Sequence, residues 1–196
     1  MKVIQVKCPS CNSPLYMKQK DSVFYCDKCN VMHVRDKGVE KIDFEIGEFN
    51  QTAQGERVFM PFWRVYANLV MRNKSVEGGT LFKIASFLKG DTNTGNIFIY
   101  IPATDVDANT FKMLATSLTT SAPRYRTRLN FGGIARLPVA ITKEEAAELA
   151  DFVVVTIEAE QPGTLQRLDY QLTINDTKLV YLPFVRSGAG LAPALG

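Results

Sequence analysis

The chain has 196 residues, an ordinary apolar share of 46% and a net charge of only +3. That length holds one small module plus one full domain, and the composition is that of a globular protein rather than a disordered or fibrous one. No apolar run approaches the roughly 20 residues of a membrane-spanning helix; the best are residues 97–101 and 152–157.

The charge is uneven. Residues 1–38 hold seven Lys and Arg against three Asp, while the remainder holds sixteen basic against seventeen acidic residues. The positive excess therefore sits in the N-terminal segment. It fits an acidic partner, nucleic acid included, and equally a surface that compensates an anionic metal centre.

In chain order, residues 1–7 alternate as a strand and lack the apolar core and cleavage site of a secretory signal. Cys8-Pro-Ser-Cys11 and Cys26-Asp-Lys-Cys29 follow, fourteen residues apart, and use all four cysteines. This is the spacing of a structural zinc site, in which each short pair wraps its own turn around the metal. Two disulfides or four unpaired thiols are the alternatives. Asn12 and Asn30 each follow the second cysteine of a pair. That position favours a left-handed backbone, which Asn tolerates better than other residues with a side chain. Four thiolates close the tetrahedron and leave no place for water, so Zn(2+) here is structural. Lys7 and Lys28 sit beside ligands and offset the anionic centre. His33, the sole histidine, is a spare ligand or has a structural or surface role. Cysteines at metal spacing and none elsewhere fit a reducing compartment, the cytoplasm.

Residues 1–38 resemble a zinc ribbon, the small module of transcription factors, ribosomal proteins, polymerase subunits and helicases. The resemblance implies a metal and a fold, not a task. A module this small buries too little core to fold alone, and the metal supplies the missing stability. Within it, residues 15–19 and 23–25 are expected to form a hairpin around Lys20-Asp-Ser22, and residues 31–35 a further strand. Asp36-Lys-Gly38 marks the turn out. The expected division is a ribbon over 1–38, a β-rich domain over 39–186 and a tail over 187–196, with separate cores for the first two.

Residues 39–46 alternate and lead into the second domain. Residues 57–72 form its best strand: Trp63, Val65, Ala67, Leu69 and Met71 share one face, and Arg64, Tyr66, Asn68 and Arg72 the other. Gly78-Gly79 breaks the chain, residues 80–88 resume an extended pattern, and residues 90–95 form a turn-rich loop. Residues 96–101, apolar throughout, read as a central strand. Phe111, Leu114, Ala115 and Leu118 have helical spacing, with Asp105 or Asp107 near the start. A second helix begins at Thr142-Lys-Glu-Glu145, a capping box, and runs to about Asp151. Residues 152–160, 166–174 and 178–185 read as strands, the last two joined by a hairpin turn at Asn175-Asp176. The class is α+β: a zinc ribbon followed by a mainly antiparallel β-rich domain with about two helices. The uncharged tail, rich in small residues, is mobile if taken alone and is expected to order against a partner or a second copy.

Phe59-Met-Pro-Phe62, Tyr100-Ile-Pro-Ala103 and Tyr181-Leu-Pro-Phe184 each place an aromatic residue two positions before Pro. The echo fits an old duplication, or three strands that end in one layer of a sheet. With its Pro61-Phe62-Trp63 and Leu182-Pro183-Phe184 motifs, the whole chain resembles uncharacterised bacterial proteins that join an N-terminal zinc ribbon to a β-rich body.

Phosphate-binding loops, dinucleotide fingerprints and nucleophile elbows are missing from the sequence. With one histidine and no cysteine outside the metal pattern, nucleophilic triads lack their usual base. The other candidate site is the stretch 123–136, with four arginines and no acid. If it is extended, Arg124, Arg126 and Arg128 share a face, Tyr125 stands nearby for stacking, and Arg136 closes the run. Such a surface serves phosphates or a protein interface, or simply pairs with acids of the second helix. The leading expectation is a non-enzymatic zinc-binding scaffold that docks on a larger protein assembly or on its own copies. The alternatives are a nucleic-acid-binding accessory factor, using the N-terminal lysines and these arginines, and a small-ligand-binding or enzymatic β-rich domain.

Overall fold

A computed structural model describes residues 6–15, 21–35, 39–72, 94–159, 169–188 and 190–196. The chain opens with two small ladders. β1 (Val6–Lys7) pairs antiparallel with β2 (Pro14–Leu15). β3 (Val23–Cys26), β4 (Val31–Arg35) and β5 (Val39–Ile42) form a three-stranded antiparallel sheet in that order. Of the expected hairpin between residues 15–19 and 23–25, residues 16–20 lie outside the described residues; β3 pairs with β4. The turn that carries Cys29 folds the chain back locally, so Cys26 meets Val31 across the ladder. β5 extends this sheet beyond residue 38, to Ile42.

One residue later the chain enters the body. β6 (Phe44–Gly47), β7 (Glu56–Met71), β8 (Thr94–Pro102), β9 (Thr127–Arg128), β10 (Ala135–Arg136), β11 (Tyr170–Ser187) and β12 (Gly190–Pro193) form one seven-stranded sheet. Its spine is the long antiparallel pair β7 and β11, in register from Met71 opposite Tyr170 to Glu56 opposite Arg186. The outer edge of β7 carries β8 and then β10, and the outer edge of β11 carries β6 and then β12. Contacts of β6 with β11 and of β10 with β7 are parallel, and the other pairs are antiparallel.

The three proline motifs lie side by side in this sheet. Pro61 stands where the outer partner of β7 changes: its carbonyl accepts from Ala103 N–H at 2.9 Å, and the carbonyl of Phe59 accepts from Leu137 N–H at 2.8 Å. Pro183 stands at the corresponding change on β11 and accepts from Ala194 N–H at 2.8 Å. A residue without an N–H leaves no donor stranded where one neighbour ends and the next begins. The rings of Phe62 and Phe184, next to these prolines, stack at 6.0 Å.

Two helices complete the mixed α and β body. α1 (Ala108–Thr120) is capped by Asp107, whose carboxylate accepts from the N–H groups of Asn109 and Thr110. α2 (Lys143–Ala159) starts on the expected capping box: Thr142 N donates to Glu145 Oε2 at 2.7 Å, and Glu145 N donates to Thr142 Oγ1 at 3.2 Å. It does not stop at Asp151. Residues 152–159, expected as a strand from their β-branched content, continue the helix. Ala146, Ala150, Val153, Val154 and Ile157 are all buried, so packing of a helical stripe overrides local propensity.

The expected hairpin at Asn175-Asp176 is a bulge inside one strand. Ile174 faces Ala67 and Asp176 faces Tyr66, so β11 runs through with one residue unpaired. Neither residue has the positive φ that a tight hairpin turn requires. Residues 96–101 were expected in a central strand, but β8 pairs only with β7 among the described residues. The expected break at 78–79, the extended pattern over 80–88 and most of the 90–95 loop lie outside the described residues.

The sheet carries an apolar cluster on each face. On one, Trp63, Val65, Ala67, Leu69 and Met71 pack with Ile97, Ile99 and Ile101 and with α2. Val23 and Met32, from the three-stranded sheet, belong to this same cluster. The N-terminal unit thus shares a core with the body, contrary to the expectation of separate cores. On the other face, Val58, Met60 and Phe62 pack with Val180, Leu182, Phe184 and two leucines of α1. Leu191 and Leu195 close that face. The tail therefore orders on its own domain rather than on a partner: β12 pairs with β11, and Gly196 N donates to Glu48 O at 3.0 Å.

Candidate metal centre

The two Cys-x-x-Cys turns converge. The sulfurs of Cys8, Cys11, Cys26 and Cys29 all lie within 4.8 Å of one another. Cys8 Sγ is 3.7 Å from Cys29 Sγ, and Cys11 Sγ is 3.5 Å from Cys26 Sγ. A tetrahedron of thiolates around zinc at about 2.3 Å places its sulfurs about 3.8 Å apart, so the donor set fits such an ion in type, number and spacing. The four thiols are also far from any disulfide bonding distance.

The backbone explains why they converge. Asn12 and Asn30 have φ of 60° and 53°, and are the two residues with a side chain that adopt positive φ among those described. Asn12 N donates to Cys8 O at 2.8 Å, and Cys8 N donates to Ser13 O at 2.8 Å. The first turn thereby curls its backbone around its two sulfurs, and the second shares its positive φ at the residue after the second cysteine. The Ser13 hydroxyl and backbone N–H draw the Cys11 thiol down to about 6, while burial and the neighbouring sulfurs push Cys29 up to about 12. Cys8 and Cys26, both 1% exposed, pack with Leu15 and Phe24 in a small cluster of their own.

His33 is buried beside this cluster. Its ring stacks on Phe24 at 5.5 Å, and its Nε2 lies 3.5 Å from Cys8 Sγ. Burial, then the charge of Lys41, lower its pKa. The contact places Nε2 behind Cys8 Sγ, where an outer-shell hydrogen bond would reach a metal-bound thiolate. Lys7 and Lys28 are exposed.

The Arg-rich stretch is divided by the fold. Arg124 and Arg126 are exposed. Arg128 sits with its guanidinium 5.7 Å from the centroid of the Phe59 ring. Tyr125 is half-buried, and its hydroxyl donates to Glu45 Oε2 at 3.1 Å. That carboxylate also holds Arg64 in a two-pronged contact at 3.0 and 3.1 Å, and Lys178 at 2.9 Å. Arg136 turns largely inward, with its side chain 17% exposed. Its Nη1 lies 2.7 Å from Asp21 Oδ2 and 3.3 Å from the hydroxyl of the buried Tyr181. No single face therefore carries all five residues 124, 125, 126, 128 and 136.

Asp21 is the residue that sequence reading missed. It looked like part of a turn, yet its side chain is 1% exposed. Its Oδ1 accepts from the N–H of Val139 at 3.0 Å and of Val23 at 3.4 Å. Ser22 N and Ser22 Oγ both donate to Val139 O, at 2.8 and 3.0 Å. The cysteine-bearing unit is thus bolted to the segment after β10. Local sequence holds no signal for this, because the partners lie over a hundred residues away.

No helix among the described residues is long and apolar enough to cross a membrane. Comparison with protein-family models, curated proteins and solved structures finds no match to this chain.

Proposed function

We propose that this protein is a zinc-binding interaction module, in which one structural Zn(2+) on Cys8, Cys11, Cys26 and Cys29 holds the N-terminal ribbon as a docking element for a larger protein assembly. The observation that carries the reading is the four-sulfur cluster, with spacing suited to a tetrahedral ion and all four positions filled by cysteine. Such an ion supplies cross-linking and charge rather than a bound water for chemistry. His33, packed on Phe24 against Cys8, supports the ligand set from within the protein. The Asp21 contacts fix the ribbon's orientation relative to the body, and a fixed orientation lowers the entropy lost on docking.

The test has two parts. Protein purified without added metal is expected to carry one zinc per chain by elemental analysis, and Cys26→Ser to lose it. Tagged protein is expected to retain a defined set of protein partners from native lysate after nuclease treatment, and Cys26→Ser to lose them. Less than about half an equivalent of metal rules out the centre. Capture that vanishes with nuclease rules out direct protein docking.

A further inference from the structure

The face of the sheet opposite Trp63 is not apolar along its whole length. Beyond Phe62 it presents cross-strand pairs of another kind: Arg64 opposite Tyr100, Tyr66 opposite Phe98, and Asn68 opposite Asn96. Phe98 is 43% exposed, unusual for a ring in the middle of a strand whose neighbours Ile97 and Ile99 are buried. It lies against Tyr66 with centroids 5.0 Å apart, and the Arg64 guanidinium sits 5.4 Å from its centroid. Phe98 lines a shallow groove of about 880 Å³ that runs from Phe98 and Tyr100 past the end of α1 to Pro123 and Arg124.

The charge of this groove has one sign. Its lining includes Arg64 and Arg124 and neither Asp nor Glu. Glu45, just behind it, already serves Arg64 and Lys178 together. One carboxylate cannot neutralise two cations, and among the described residues no carboxylate pairs with Arg124. The surplus is positive and stands next to an exposed aromatic ring. Cations alone would suit any acidic segment. A cationic groove edged by an open ring on a sheet face suits a polymer that alternates phosphates with flat bases, because every base offers a π-face for stacking.

We propose that this groove binds a single-stranded nucleic acid, with a base stacked on Phe98 and a neighbouring phosphate held by Arg124. The inference goes beyond protein docking and does not depend on it. It differs from a site on the arginine run itself, since Arg128 and Arg136 are engaged elsewhere and only Arg124 of that run lines the groove.

Fluorescence anisotropy of the full chain with a short labelled oligothymidylate tests it. Phe98→Ala is expected to weaken binding about tenfold, in the range of one lost stacked base, and Phe98→Tyr to restore it. Arg124→Ala is expected to weaken binding and to reduce the slope of log K against log salt by about 0.7, the share of one phosphate contact on a single strand. Both side chains are exposed, and unchanged Trp63 fluorescence on the opposite face verifies that each variant is folded. Absence of binding at low salt overturns the proposal. So does binding that both Ala variants leave unchanged. Equally tight binding of polyglutamate also overturns it, and assigns the groove to acidic protein segments.

Discussion

Asp21 and Arg136 face each other across the junction of the cysteine-bearing sheet and the body, 2.7 Å apart, with the Asp21 side chain 1% and the Arg136 side chain 17% exposed. Burial works against the Arg136 charge, yet Tyr181 and Asp21 more than offset it and hold the guanidinium ionised. Removing the acid strands a buried cation and orphans the Val139 N–H. Asp21→Ala is therefore expected to cost about 3–5 kcal/mol in urea unfolding, as for other broken buried pairs. Asp21→Asn keeps an acceptor for that N–H and is expected to cost less. A loss below about 1 kcal/mol for the Ala variant would place the pair among solvated surface contacts.

Loss of metal is expected to reach the body. Val23 and Met32 pack into the same cluster as Trp63, so an N-terminal sheet that comes apart withdraws two side chains from the body's core. Trp63, the one tryptophan, is 3% exposed and donates its indole N–H to Ile141 O at 2.8 Å. Because it sits on β7, its emission follows the unfolding of the body. Chelation or Cys26→Ser is expected to lower the unfolding midpoint seen through Trp63. An unmoved midpoint would mean that the N-terminal cysteine-bearing unit unfolds independently.

Glu45 makes stability acid-sensitive. Burial opposes its charge, but hydrogen bonds and charge from Lys178 and Arg64 outweigh that and leave its pKa below the ordinary value. A carboxyl depressed by folding contributes stability in full above its unfolded pKa of about 4.3, and loses it as pH falls through the lower folded value. Glu45→Gln is expected to cost on the order of 1–2 kcal/mol at neutral pH, the worth of hydrogen bonds to charged groups. Wild type and variant should converge in acid. A difference that stays constant from neutral pH into acid would assign the loss to packing instead.

The tail carries structure rather than waiting for a partner. Deleting residues 188–196 removes β12 from the edge of β11 and uncovers the cluster that Leu191 and Leu195 close. A loss of about 2 kcal/mol or more is expected from the leucine burial alone. Differential scanning calorimetry of the truncated chain checks it. A melting temperature equal to that of the full chain would show that these contacts contribute little.

Where the physics is local, the sequence was legible by itself. The cysteine spacing and the two Asn predicted the paired turns, because the residues of each turn are chain neighbours. The Thr142–Glu145 box, the start of α1 and the alternating faces of β7 followed for the same reason. Tertiary structure decided the rest. Residues 152–157 have strand propensity, but a helical stripe of Val153, Val154 and Ile157 finds a core to cover. Asn175 looks like a turn, but β11 has the whole length of β7 to pair with, and a bulge costs less than giving up the second half of that ladder. The tail looks mobile, but an open strand edge and an apolar face lie beside it. Asp21 and Arg136 are each ordinary in sequence, and only the approach of two distant segments makes them a buried pair. In every such case the deciding energy comes from burial against groups far along the chain, which no local window contains.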